Sequence, residues 1–116
     1  FLMNGQEIST AIQYNLKILF VVFDNGMYGT IRMHQERDYP EHVYGTDLKN
    51  PDFAALARAY GLYAETINTT AEIRGAFERC LDQTVASLIH IKVDPEAITT
   101  RTTLTAIREH ALSKQG

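Results

Sequence analysis

The residues best suited to chemistry lie in a short stretch that follows the first apolar segment. Residues 24–30 read Asp-Asn-Gly-Met-Tyr-Gly-Thr. They supply a carboxylate, an amide oxygen and glycines that let a ligand approach the backbone, and a following helix would add amides that favour an anion. Hard cations such as Mg²⁺ take such oxygens and share the phosphates of their ligand. The stretch is compatible with a phosphate and cation pocket, or equally with a strand-to-helix turn that binds nothing.

Other residues that could titrate or react have ordinary structural explanations. We expect His34, His42 and His110 on the surface and His90 in the core, although His34 and His42 could also reach a substrate. Cys80 is the only cysteine, which leaves no disulfide and no cysteine cluster for zinc, and we expect an inert core thiol.

The charged residues that follow the stretch are predicted to form a solvated helix face. Pairs such as Arg32 with Glu36, four residues apart, contribute only about 0.2–0.5 kcal/mol. Arg37 and Asp38 extend that face, and we interpret none of these residues as a catalytic cluster. Glu7 is expected in the first turn of a helix, where a carboxylate answers the helix dipole.

The elements that must position these residues alternate between strands and helices. Period and composition predict strands at residues 18–23, 62–67 and 87–93 and helices at 6–16, 30–36, 52–59, 71–83 and 102–112. This alternation predicts an α/β fold, a doubly wound parallel sheet with helices on both faces. Binding sites in such sheets lie beyond the carboxyl ends of the strands, where residues 24–30 fall.

Local signals refine these elements. The apolar run at residues 18–23 predicts a central strand that is buried on both faces. Residues 38–51 lack a period and are expected to form a long surface loop, of a kind that is often functional. Thr70 with Ile73 gives half a capping box. The next helix is expected to bury one face, composed of Ile73, Ala76, Phe77, Cys80 and Leu81.

Composition bounds the class of protein. The 116 residues are 45% hydrophobic and 22% charged, with a net charge of −3, which favours one packed domain over residues 1–116 and argues against a nucleic-acid binder. The longest apolar run is too short to cross a membrane. We expect a cytoplasmic protein. Because the chain opens on an apolar segment at Phe1, we also expect a fragment of a longer polypeptide.

Several segments resemble one enzyme family. Residues 1–7, Phe-Leu-Met-Asn-Gly-Gln-Glu, and residues 24–31 resemble the diphosphate-binding domain of thiamine-diphosphate-dependent enzymes of the acetolactate synthase and decarboxylase group. Residues 50–57, 60–61 and 93–96 are similar to it as well, so the resemblance covers essentially the whole chain. In that family a Gly-Asp-Gly triplet precedes the first segment and an Asn-Asn pair follows the strand; the triplet would fall before Phe1.

The resemblance implies thiamine diphosphate and Mg²⁺ as cofactors. It implies that Asn25 offers its side-chain oxygen to Mg²⁺ and Met27 its backbone carbonyl, with the aspartate of the triplet as the third protein ligand. It also implies that the amides of Tyr28, Gly29 and Thr30 meet the diphosphate.

The resemblance further implies where a substrate binds. Thr30, Ile31 and His34 would border the thiazolium ring and a 2-oxo acid, with Ile31 as an apolar wall that favours loss of carbon dioxide. The implied activity is decarboxylation with acyl transfer, as in acetolactate synthase. The cofactor's pyrimidine ring would bind a domain of the same or a partner subunit in a homodimer or homotetramer, and the chain alone would be inactive.

One position departs from the family pattern. Asp24 stands where the first Asn of the pair is usual, and its charge weakens diphosphate binding unless it is hydrogen-bonded or faces away. A non-catalytic α/β assembly module derived from the family is therefore the competing hypothesis. A dinucleotide-binding domain is a weaker one, because no GxGxxG opens a helix.

Overall fold

The computed structural model describes residues 1–114, which fall into two compact units. The first unit comprises Phe1–Asp24 and Asn50–Lys92, and the second comprises Asn25–Lys49 and the residues from Val93 onward. The prediction of a single domain over residues 1–116 stays a prediction.

The first unit contains a parallel sheet of three strands in the order β1-β3-β2. These strands are β1 (Leu19–Asp24), β2 (Tyr63–Ile67) and β3 (Ser87–Lys92). In the register, Leu19 and Tyr63 both lie opposite Ser87. The predicted α/β class with a parallel sheet is confirmed.

The central strand of this sheet is β3, so the prediction that the first strand is central is wrong for the described residues. Side chains from Ser87 to Ile91 are all buried, whereas Phe23 of β1 is 69% exposed. The physical reason is that β3 has a hydrogen-bonded neighbour on both sides and β1 pairs with β3 alone. An apolar run indicates burial but does not reveal how many strands flank it.

Three helices of the first unit overlap the predicted ones, although the first ends at Gln13 and not at residue 16, because Asn15 adopts a left-handed φ of +52°. They are α1 (Ile8–Gln13), which follows the 3₁₀ turn Gly5–Glu7, α3 (Phe53–Ala59) and α4 (Ile73–Leu81). Asp52 caps α3 as expected, because its Oδ1 accepts the Ala55 N–H at 2.9 Å. Gly61 ends that helix with a φ of +92°, a conformation that favours glycine.

The core of the first unit joins these helices to the sheet. It consists of Ile8, Ala11, Val22, Phe53, Ala54, Ala57, Leu62, Ala64, Ala86 and Leu88. His90 and Cys80 are buried as predicted, and burial raises the pKa of the Cys80 thiol. Leu81 is 56% exposed, which corrects its placement on the buried face of α4.

The second unit is built on two helices that pack together, α2 (Gly29–Asp38) and α5 (Leu104–Ser113). Both lie at the predicted positions. Thr103 caps α5 through its hydroxyl, which accepts the Ala106 N–H at 3.1 Å. Among residues 1–114, no helix combines the length and the apolar character needed to span a membrane.

The start of α4 corrects another prediction. A capping box is formed by Thr69 and Glu72 around the 3₁₀ turn Thr70–Glu72, one residue earlier than the half box expected at Thr70. The Glu72 carboxylate accepts the Thr69 N–H at 2.8 Å and the Asn68 N–H at 2.9 Å. These bonds lower the pKa of Glu72, with the Asn68 amide as the largest cause.

The capping box predicts unequal effects for two adjacent threonines. We expect Thr69→Ala to lower the free energy of unfolding by about 1 kcal/mol, because a cap is lost. Thr70→Ala is the matched control and should change it by less than about 0.5 kcal/mol. Denaturant unfolding of the purified protein measures both, and equal losses would contradict the capping role.

Candidate functional site

The turn after β1 places Asn25 and Met27 close together. Gly26 has a φ of +70°, a left-handed conformation that glycine adopts without steric strain. The Asn25 Oδ1 accepts the Met27 N–H at 3.3 Å. A carbonyl oxygen has two lone pairs, so this contact leaves Asn25 Oδ1 one further acceptor site.

A segment of the long loop pairs with this turn. We call residues 44–48 the strap. Asp47 forms an antiparallel bridge with Met27, flanked by the Tyr28 N–H donating to Thr46 O and the Leu48 N–H donating to Gly26 O, both at 2.8 Å. The expected loop is confirmed, but its pairing was not predicted, because a single bridge leaves no period in a sequence.

The bridge decides which way the Met27 backbone faces. When the hydrogen bonds come from the residues on either side, the bridged residue directs its own N–H and C=O away from the partner strand. The Met27 N–H lies against Asn25 Oδ1, so the Met27 carbonyl and the Asn25 oxygen lie on the same side of the turn. These are two of the oxygens that Mg²⁺ prefers.

Gly29 makes room for the Asn25 side chain. A Cβ added at Gly29 would lie 2.6 Å from Asn25 Nδ2 and 2.9 Å from Ile98 Cδ1. Real Cβ atoms do not approach so closely, so a larger residue would displace one of these side chains. The carboxamide of Asn25 therefore lies against Gly29, the first residue of α2, because Gly29 has no side chain.

The start of α2 leaves amides for an anion. The first helical bond runs from the Arg32 N–H to Tyr28 O, so the N–H groups of Gly29, Thr30 and Ile31 precede the helical ladder. Within the described residues no side chain caps this end. The Tyr28 N–H, by contrast, already donates to Thr46.

The outer face of α2 carries two further predicted residues. Ile31 is 54% exposed and His34 is exposed; three residues apart, they share one face of the helix. The Arg37 guanidinium lies 2.8 Å from His34 Nδ1 and also bonds the Asp38 carboxylate. Predicted surface positions for His42 and His110 are confirmed.

Glu36 is buried, which corrects its placement on a solvated face. It is 1% exposed, and its carboxylate accepts from Arg32 Nε at 3.1 Å and from Arg108 Nε and Nη2 at 2.8 and 3.0 Å. Arg108 lies on α5. The hydrogen bonds from Arg108, more than those from Arg32, lower the pKa of Glu36.

The charge of Asp24 is compensated inside the first unit. Its carboxylate accepts from Asn50 Nδ2 at 2.7 Å, from Lys92 Nζ at 2.6 Å and contacts His90 Nε2 at 2.9 Å. Asp24 itself is 6% exposed. The sequence predicts that Asp24 weakens diphosphate binding unless its carboxylate is hydrogen-bonded or faces away. The carboxylate is hydrogen-bonded.

The donor set is not that of a histidine or cysteine metal centre. Throughout residues 1–114, no group of three or more His, Cys, Asp or Glu side chains could hold a metal ion. Glu7 bonds locally, because its carboxylate accepts from the Thr10 hydroxyl at 2.8 Å. The oxygen pair of Asn25 and Met27 is thus the candidate for a cation.

Comparison with known proteins decides the family. The profile of the family described as thiamine pyrophosphate enzyme, C-terminal TPP binding domain, matches residues 1–91. The chain belongs to this family. Thiamine pyrophosphate is thiamine diphosphate, so the resemblance read from the sequence is confirmed.

Relatives in the family carry different activities. The chain is 36% identical to a 3D-(3,5/4)-trihydroxycyclohexane-1,2-dione hydrolase of Bacillus subtilis, over 85% of this chain and 16% of the relative. It is 32% identical to the acetolactate synthase isozyme 2 large subunit of Escherichia coli, over 81% of this chain and 17% of the relative. The chain thus spans about a sixth of these relatives.

A solved structure agrees with the fold. The crystal structure of benzoylformate decarboxylase from Polynucleobacter necessarius matches with a TM-score of 0.69 at 30% identity. The match covers 78% of this chain and 17% of that one. The α/β fold of a thiamine pyrophosphate enzyme is therefore established for most of the chain.

The close contact at Gly29 predicts a position-specific loss. Gly29→Ala is expected to lower the free energy of unfolding, because the new Cβ must push Asn25 or Ile98 aside. In the control Gly75→Ala, the Cβ meets only the exposed guanidinium of Arg79, so the higher helix propensity of alanine should offset the shift of that group and keep the free energy of unfolding within about 1 kcal/mol of wild type. Thermal unfolding measures both; a stabilised Gly29→Ala protein would refute the contact.

The lowered pKa of Glu36 predicts how stability depends on pH. The folded pKa lies below the ordinary value of 4.5, so the ionised carboxylate stabilises the fold fully above that pH and the contribution is lost as pH falls through the folded pKa. We expect the stability gap between wild type and Glu36→Gln, measured by urea unfolding, to narrow from about pH 6 to about pH 3. A gap independent of pH would contradict this.

Proposed function

We propose that this chain is the Mg²⁺- and diphosphate-binding part of an enzyme that decarboxylates a 2-oxo acid and transfers the resulting acyl group, in the manner of acetolactate synthase. The observation that carries the proposal is the seat of Asn25. Its carboxamide lies against Gly29, and its oxygen lies on the same side of the turn as the Met27 carbonyl. Family membership supports thiamine diphosphate as the cofactor. The position of the Asn25 carboxamide supports Asn25 and Met27 as the metal ligands.

The metal is assigned to two oxygens of this chain. Asn25 Oδ1 keeps one acceptor site beside the Met27 N–H, and the bridge to Asp47 turns the Met27 carbonyl to the same side. A hard divalent cation prefers such oxygens and completes its octahedral shell with water and phosphate. Mg²⁺ therefore fits these residues, with a further carboxylate expected from outside the chain.

The diphosphate is assigned to the start of α2. The amides of Gly29 and Thr30 precede the helical ladder, and an anion there also answers the helix dipole. The Tyr28 N–H already donates to Thr46 O. Tyr28 is therefore assigned a structural role in the turn and not a bond to the diphosphate. The Asp24 carboxylate accepts hydrogen bonds from Asn50 and Lys92. Its negative charge is therefore compensated and does not oppose diphosphate binding as an unpaired charge would.

The exposed face of α2 is assigned to the substrate. Bound thiamine diphosphate supplies the carbon nucleophile and the electron sink for decarboxylation. Ile31 then serves as an apolar wall that disfavours the charged carboxylate and excludes water. His34, which contacts Arg37 through Nδ1, lies on the same face, where its ring can hydrogen-bond a substrate oxygen.

The remaining machinery lies outside these residues. The chain spans about a sixth of its relatives, and we propose that a pyrimidine-binding domain of the same or a partner subunit completes the site in a homodimer or homotetramer. The chain by itself is accordingly expected to have no turnover. The relatives' names include a synthase, a decarboxylase and a hydrolase, so the particular 2-oxo acid is left to a substrate screen.

The test is a calorimetric titration of Mg²⁺ and thiamine diphosphate into the full-length protein. Asn25→Ala should weaken Mg²⁺-dependent binding at least about tenfold, because one metal ligand is lost. Asn68→Ala, which removes an exposed carboxamide in the first unit, is the matched control and should leave binding unchanged.

Three results would contradict the proposal. Equal affinity in the Asn25→Ala protein would remove this residue from the metal site. No saturable binding by the intact full-length protein would reject the enzyme and favour the non-catalytic assembly module. Turnover of pyruvate by the chain alone would contradict the need for a second domain.

A further inference from the structure

Helix α2 holds the strap at two separate points within the second unit. Gln35 Nε2 donates to Tyr44 O at 2.9 Å, and the Tyr44 N–H donates back to Gln35 Oε1 at 3.4 Å. Arg32 Nη1 lies 3.6 Å from Asp47 Oδ1. The strap is thus hydrogen-bonded to α2 where it begins, and Arg32 of α2 lies near its exposed carboxylate at the residue that faces Met27.

The contact between Arg32 and Asp47 depends on Glu36. Arg32 would hold an exposed carboxylate such as Asp47 only weakly if its side chain were free to move. Its Nε is bonded to Glu36, which is buried and also takes two bonds from Arg108 on α5. The guanidinium of Arg32 is therefore already ordered before it reaches Asp47, and less conformational entropy is lost in that contact.

The strap in turn sets the turn that bears the proposed metal ligands. In the strap, Thr46 O accepts the Tyr28 N–H and the Leu48 N–H donates to Gly26 O. This pairing directs the Met27 carbonyl to the side of Asn25 Oδ1. If this pairing opened, the Met27 carbonyl would no longer have a fixed direction. Nothing in the proposed chemistry requires Gln35, Glu36 or Arg108 to touch a ligand.

We propose that Gln35 and Glu36 are positioning residues, which hold the strap against residues 26–28 and so preset the Met27 carbonyl for the cation. The inference rests on the proposed function for the identity of the cation. The strap pairing itself is independent of it. Preorganisation of this kind strengthens binding because the ordering is complete before the ligand arrives.

The test separates strap pairing from cofactor binding. Hydrogen exchange of the Tyr28 and Leu48 amides in the cofactor-free full-length protein reports directly on the two bridge bonds. Titration of Mg²⁺ in the presence of thiamine diphosphate reports on the preset ligand. Gln35→Ala is the main variant, because it removes the grip on Tyr44 without leaving a buried charge unpaired, and Glu36→Gln is the second.

Matched controls exist in the first unit. Gln83 donates from its amide to a backbone carbonyl, Arg79 O, at 3.0 Å, as Gln35 does to Tyr44. Glu65 forms a two-bond pair with Arg79, both bonds at 2.7 Å, as Glu36 does with Arg108. Gln83→Ala and Glu65→Gln should therefore lose comparable bonds without touching the strap.

We expect both test variants to speed exchange of the Tyr28 and Leu48 amides and to weaken Mg²⁺ binding, each about fivefold or more, as the loss of one or two hydrogen bonds implies. The controls should stay within about twofold in both measurements. Unchanged exchange in a folded Gln35→Ala protein would overturn the positioning role. Faster exchange with unchanged Mg²⁺ affinity would overturn it as well.

The two proposals fail in different ways. If the wild-type full-length protein bound no Mg²⁺ and thiamine diphosphate, the proposed function would fall. Faster exchange in Gln35→Ala, with Gln83→Ala unchanged, would then still support the hold on the strap. If Glu36→Gln did not fold, Gln35→Ala would decide alone.

Discussion

The short antiparallel pairing between residues 26–28 and the strap is the constraint on which the proposed cation site depends. It uses the Gly26 carbonyl and the Tyr28 amide, and it therefore determines which backbone groups of the turn are left over. The pairing leaves the Met27 carbonyl, and the start of the helical ladder at Arg32 leaves the first amides of α2. The first is the proposed cation ligand and the second the proposed anion site, and these two proposed roles fall within four consecutive residues.

Two acidic residues show how this chain accommodates buried charge. Asp24 and Glu36 are both nearly inaccessible, and the partners of each include a cation from a distant part of its own unit. Removing a partner would leave a buried charge uncompensated, which is far less favourable than removing an exposed pair. The arginine pair on Glu36 also ties α2 to α5, so the helix that begins at the proposed diphosphate site is anchored at its other end.

Much of the fold could be predicted from the sequence because its signals are local. The strand and helix positions, the Asp52 cap, the turn at Gly26 and the burial of His90 and Cys80 follow from periodicity, side-chain type and glycine conformation. The central strand was misassigned, since an apolar run records burial and not the number of neighbours. Leu81 was wrongly predicted to be buried. Helical spacing identifies which face of a helix packs inward but not at which residue the packing against that face ends.

For the candidate site, the sequence by itself determined the residue types, the order of strand, turn and helix, and the family. The motif at residues 24–31 contributed to this only together with the segments at residues 1–7, 50–57, 60–61 and 93–96, because the motif alone also fits a turn that binds no ligand. Only the tertiary structure revealed that Glu36 is buried against Arg108, that Gln35 bonds Tyr44, that Thr46 O accepts the Tyr28 N–H and that the Asn25 carboxamide lies against Gly29. Each of these is a contact between side chains or backbones whose partners no local pattern specifies, and Arg108 reaches Glu36 across 72 positions of the chain.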